Sequence, residues 1–123
     1  MSGPLRYERI VDVLSERVPS FGDFPDAYTD RDLPQVVFGR FGTFLVERIA
    51  QGSGMDIKLG FDLLNEMAEA EDLRVRILAQ TGTLEVLIES PQAVDVARSF
   101  LFGKALDDLE DLIRYWGTGI SSP

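Results

Sequence analysis

Residues 73–90, LRVRILAQTGTLEVLIES, decide the fold. Two apolar runs flank Thr81-Gly82-Thr83, so the stretch is either a β-hairpin or one helix that carries a glycine. A strand is suggested at its start, where Leu73, Val75 and Ile77 alternate with Arg74 and Arg76. The alternation then fails at Ile77-Leu78-Ala79-Gln80 and again at Val86-Leu87-Ile88. Thr-Gly is also not one of the two-residue turns that hairpins favour. Wound as a helix, Leu73, Ile77, Leu84, Leu87 and Ile88 form one stripe, and Val75, Ala79, Gly82 and Val86 form a smaller one opposite. Arg74 and Glu85 fall between the stripes, and Asp72 is a suitable N-cap. The expectation is one rod over 73–89, apolar on two sides and wedged between neighbours, with Gly82 permitting close approach.

The rest of the chain follows the same period. In 5–18, Leu5, Ile10, Val11, Leu14 and Val18 recur at helical spacing with charges between them, and Pro19 ends the run. The stretch 19–32, PSFGDFPDAYTDRD, is aperiodic and reads as a loop, fastened to the body by Phe21, Phe24 and Tyr28. A helix over 33–51 opens with Asp32 as N-cap and Pro34 in the first turn. It stops at Gly52-Ser53-Gly54. Its glycines Gly39 and Gly42, three apart, mark a face where another helix packs close. Further helices are expected over 56–71, over 91–102 with Ser90 as N-cap and Gly103 as its end, and over 104–116 with Trp116 turned inward. Residues 117–123 read as a tail. The whole is one all-α domain of about six helices over 1–123, its antiparallel hairpins stacked as a HEAT-like layer or closed into a compact bundle.

At 123 residues the chain has room for one core. Cysteine is absent, which removes disulfides and thiolate chemistry. No apolar run is long enough for a membrane span, and the first residues lack the apolar core of an export signal, so the expected location is cytoplasmic. Twenty-one acids against twelve bases give a net charge of −9. That surface repels phosphate backbones and disfavours nucleic acid, while it speeds encounter with a basic protein.

The chemistry available is narrow. Histidine is absent, so the commonest general base, histidine triads and imidazole metal sites are excluded. No Gly-x-Ser-x-Gly elbow, phosphate-cradling loop or dinucleotide fingerprint occurs. The loop acids Asp23, Asp26, Asp30 and Asp32 lack the spacing of a calcium loop and its closing glutamate. No catalytic residue, metal site or cofactor is expected, and the reading is non-enzymatic. What remains is acid. The segments 66–72, EMAEAED, and 106–112, LDDLEDL, hold four acids each and no base. Like charges four apart, such as Asp107 and Asp111, weaken a helix by about a few tenths of a kcal/mol. A sequence that keeps such a cost can be using the field to attract a basic partner. The candidate partner-binding residues are Asp62, Glu66, Glu69, Asp107, Asp108, Glu110 and Asp111.

Three stretches carry a resemblance: VVFGRFGTFLVERI (36–49), EAEDLRVRILAQTGTLEVLIE (69–89) and LIRYWG (112–117). Over roughly 33–117 the chain resembles a family of small bacterial all-α proteins of unknown function, whose members occur among candidate immunity proteins of polymorphic toxin and contact-dependent inhibition systems. The resemblance implies a small helical partner-binder, acidic enough to sit on a basic toxin domain, and it brings no catalytic residues. The loop at 19–32 matches nothing in that family. The leading expectation is thus an immunity-like inhibitor of a basic toxin. A helical scaffold or adaptor, including a homodimeric regulatory protein, is the alternative, followed by a carboxylate-based enzyme or ligand-binding bundle.

Overall fold

In a computed structural model describing residues 4–117, the stretch at 73–87 is a single rod, and no described residue lies in a strand. Six helices carry the chain: α1 Ile10–Arg17, α2 Pro34–Gln51, α3 Gly54–Ala68, α4 over 73–87, α5 Pro91–Phe100 and α6 Gly103–Leu112. The two long helices form the spine. Helix α2 packs on α1, α3, α4 and α5, and α3 packs on α1, α2, α4, α5 and α6. In a HEAT-like stack each hairpin touches only its neighbours. Here α2 of the first hairpin meets α5 of the third, so the helices close into a bundle.

Helix α4 is not uniform. Leu73–Leu78 and Glu85–Leu87 are α-helical, but Ala79–Leu84 is a π-helical turn. Across it the Glu85 N–H reaches back five residues to the Gln80 carbonyl. One inserted residue rotates everything after it by about 100°. The two stripes expected of a uniform α-helix are therefore spliced. Val75, Leu78, Ala79 and Gly82 before the splice share the buried face with Thr83, Leu84 and Leu87 after it. Leu73 and Ile77, expected to continue the stripe of Leu84 and Leu87, are instead 57% and 45% exposed. The first half of the rod is thus apolar outside as well as in, but only its inner face is covered.

The expected glycine contact lies between α2 and α4. A Cβ on Gly42 would sit 2.8 Å from Val86 Cβ and 3.1 Å from the Thr83 carbonyl, and one on Gly82 would sit 3.0 Å from Phe38 Cβ. This close approach lets the buried Thr83 hydroxyl donate across the seam to the Phe38 carbonyl at 2.8 Å. The order of partners, Gln35 with Thr81, Phe38 with Gly82 and Gly42 with Val86, makes α2 and α4 parallel. Two chain reversals, at 52–53 and 69–72, produce that direction.

Helix boundaries shift for local reasons. The run expected over 5–18 becomes an extended Arg6, a 3-10 turn Tyr7–Arg9 and then α1. The Tyr7 N–H is taken at 2.9 Å by the Asp72 carboxylate, so a donor that the α-helix would leave free is satisfied from α4. The N-cap of α2 is Leu33 rather than Asp32. Asp72 and Ser90 do cap, accepting from the N–H groups of Arg74 at 3.0 Å and Ala93 at 3.2 Å. The loop at 19–32 holds a 3-10 turn, Pro19–Asp23, that seats Phe21 edge-on against Phe41 and Phe44 at 5.5 and 5.4 Å. Phe24 and Tyr28 pack partly buried beside it, the fastening that loop required. Helix α6 runs into a second π turn, Ile113–Gly117. The side chain of Trp116 and the tail from 118 on lie outside the described residues.

Candidate partner-binding surface

Five of the eight acids in the two charged segments, Glu66, Asp72, Asp108, Glu110 and Asp111, are ion-paired within the chain. On α3, Asp62 pairs with Lys58 one turn before it, at 2.7 Å, and Glu66 pairs with Arg17 of α1. Glu69, just past the end of α3, has no ion pair among the described residues; its Oε2 accepts a long 3.4 Å bond from the Lys104 N–H at the start of α6. On α6, Asp108 is only 4% exposed and lies beneath Lys104, whose Nζ is 2.5 Å away. Glu110 takes both prongs of Arg98 from α5 at 3.0 and 2.9 Å. Asp111 pairs with Arg114 at 2.9 Å, and Asp107 is exposed with no ion pair among the described residues. Glu69 brings the two segments together, because its carboxylate stands at the beginning of α6.

These pairs shape the titration of the site. The hydrogen bond from Arg98 lowers the Glu110 carboxyl below the ordinary range. The bond to Asp108 raises the Lys104 ammonium, and the bond to Glu66 raises Arg17. All three charges have a partner within the chain. Among the described residues no group of three carboxylates stands close enough to hold a metal ion. In the loop at 19–32, Asp30 is instead bound by Arg40 at 2.6 Å, which also donates to the Asp26 carbonyl.

A groove of about 600 Å³ runs along α3. Leu5, Ala70 and Phe102 supply its apolar lining, while Asp62, Glu66, Glu69 and Glu71 supply four carboxylates against the single guanidinium of Arg17. Phe102 is 66% exposed, yet its backbone is fixed. Buried Asn65 accepts from the Phe102 N–H at 3.1 Å and donates to the Phe100 carbonyl at 3.1 Å, clamping the link between α5 and α6. Gly103, at φ +54°, then turns the chain into α6. Phe102 and Asn65 were not among the expected site residues. The available signal was the amide in Leu63-Leu64-Asn65-Glu66-Met67, a polar side chain on an otherwise apolar face that has to find partners.

No protein-family model, curated protein or solved structure matches this chain.

Proposed function

We propose that this chain is a non-enzymatic protein-binding module of the immunity type, a cytoplasmic inhibitor that covers a basic toxin domain. One observation carries the reading. Every Lys and Arg except Arg6 and Arg76 is held in an ion pair by one of the chain's own carboxylates. The surplus is therefore mostly acid: Asp23, Asp26, Asp32, Glu47, Glu69, Glu71, Glu85, Glu89, Asp95 and Asp107 have no ion pair among the described residues, against only Arg6 and Arg76 on the basic side. Such a surface offers little to compete with a cationic partner for those carboxylates, and its field steers one in. No described helix is long and apolar enough to cross a membrane.

The test is co-expression and pull-down of the full chain with the product of the adjacent gene. The expected result is rescue of growth and a stable complex whose association slows as salt rises. Charge reversal at exposed Asp107 slows association further; Asp108 is unsuited to the purpose, since it is buried under Lys104. A neighbouring product that is neither toxic nor bound overturns the reading. A scaffold that pairs with a second copy is favoured by a different observation, the uncovered Leu73 and Ile77 on α4. Light scattering that shows a monomer at all concentrations removes it.

A further inference from the structure

Three aromatic rings in this fold are each capped by an arginine of the same chain that also grips a carboxylate. Arg48 lies 4.7 Å over the Phe44 ring with its Nε 3.1 Å from Asp56. Arg74 lies 5.1 Å over Tyr7 and bridges Glu8 at 2.6 Å and Asp72 at 3.1 Å. Arg31 lies 5.6 Å over Tyr28 and binds Asp12 at 2.5 Å. The guanidinium suits such a place because it is flat enough to stack and forked enough to grip a carboxylate.

Phe102 repeats the arrangement with its arginine missing. Its ring stands exposed on the groove that Glu69 and Glu71 also line, and neither carboxylate has an ion pair among the described residues. No arginine among those residues lies over the ring. The one guanidinium in the groove, Arg17, is already held by Glu66. The backbone that carries the ring is also pre-positioned, since Asn65 pins it on both sides of Leu101. An aromatic anchor on a fixed backbone has only its two side-chain torsions to order on binding, which favours it as the side chain that dominates an interface.

We infer that this groove is the docking point for the basic partner, and that its occupant is an arginine side chain of that protein, stacked on Phe102 and forked onto Glu69 and Glu71. The inference rests on the proposed function for the identity of the partner as a protein. It adds the chemistry of the contact, arginine rather than lysine, and its position.

The test titrates the ¹⁵N-labelled full chain with acetyl-arginine amide, acetyl-lysine amide and the uncharged isostere acetyl-citrulline amide. Arginine should shift the amides at 69–71 and 101–104 and saturate at millimolar concentration, with lysine weaker and citrulline silent. Phe102→Ala and Phe102→Leu, both at an exposed position, should weaken the arginine response about two- to fivefold. Glu69→Gln with Glu71→Gln should weaken it further. Equal responses to arginine and lysine, shifts scattered over Glu47, Glu85 and Asp107, or a response unchanged in both Phe102 variants would overturn the inference. The two readings separate cleanly. Arginine-specific shifts with no protein captured keep the arginine site and remove the toxin-blocking role. Capture that survives Phe102→Ala, without those shifts, keeps the role and removes the groove.

Discussion

The seam between α2 and α4 and the groove along α3 are built from opposite materials. At the seam, glycines remove side chains so that two helices approach until Thr83 can bond the Phe38 carbonyl. Nothing there is charged and nothing can adjust. Along α3 the side chains are long and ionised, and they reach across gaps: Glu66 to Arg17 of α1, Asp62 along its own helix, Glu69 to the start of α6. The seam derives its stability from fit, which fails steeply when an atom is added. The groove derives its contacts from ion pairs between partly exposed groups, which water and salt weaken and which can be exchanged for a partner's charges. One region specifies the fold and the other is left adaptable.

The largest effect should therefore come from the seam. Gly42→Val places a branched side chain where even a Cβ meets Val86 Cβ at 2.8 Å and the Thr83 carbonyl at 3.1 Å. Both obstacles are backbone or are fixed to it, so α2 and α4 must separate. We expect a loss of about 3 kcal/mol in urea unfolding, at the upper end of overpacking costs. Gly60→Ala is the control that sharpens the point. Its Cβ would lie closer still to a neighbour, 2.6 Å from Leu45 Cδ2, but that atom is the rotatable tip of a flexible side chain. The helix preference for alanine over glycine, about 1 kcal/mol, then offsets much of the strain. If Gly60→Ala proves as damaging as Gly42→Val, distance alone governs and the distinction between fixed and yielding neighbours is void.

This contrast also explains what the sequence disclosed. Gly39, Gly42 and Gly82 announce a close helix contact because a glycine inside a helix has a cost that packing must return. The caps Asp72 and Ser90 are local signals and were readable as such. The π turn was not readable. Whether one extra residue enters a turn depends on which of two faces the rest of the bundle covers, and Leu73-Arg74-Val75-Arg76-Ile77 looks equally apolar on either side of a straight helix. The site was legible only as composition. Of the seven acids singled out at Asp62, Glu66, Glu69, Asp107, Asp108, Glu110 and Asp111, two pair with an arginine on another element. Arg17 is 49 residues from Glu66, and Arg98 is 12 residues from Glu110. Nor does a count of charges show that Phe102 is held by an asparagine 37 residues away.

An intermediate effect is expected where the N-terminal turn joins α4, a junction polar like the groove but fixed like the seam. The hydrogen bond from Arg74, aided by those from the backbone N–H groups of Tyr7 and Arg74, draws the Asp72 carboxyl down to about 2 from an ordinary 3.8. A carboxyl depressed in the folded state stabilises it fully above the unfolded value and loses that contribution as pH falls through the folded one. The tie at Tyr7 should thus be intact at pH 5 and loosen between about pH 4 and pH 2. Hydrogen exchange at the Tyr7 amide reads it directly. The protection factor there, which is exchange normalised to the intrinsic rate at each pH, should fall over that window in the parent chain and be low at every pH in Asp72→Ala. Protection unchanged down to pH 2 would show that burial, rather than the carboxylate, holds the turn.

The smallest effect belongs to the pair that looks best in the structure. Arg98 meets Glu110 with two bonds near 3 Å, joining α5 to α6. Both side chains are more than a third exposed, so water screens the attraction and ordering two long side chains opposes it. A double-mutant cycle with Arg98→Met and Glu110→Gln should return a coupling of about 0.5 kcal/mol or less, shrinking further in half-molar salt. The physical consequence runs back to the comparison. If the tie costs so little to break, a cationic partner can take Glu110 from Arg98 without unfolding α6, and the acid counted as internally satisfied becomes available at an interface. A coupling several times larger would make the α5–α6 pair as rigid as the glycine seam, and would confine any docking to the carboxylates that have no partner of their own.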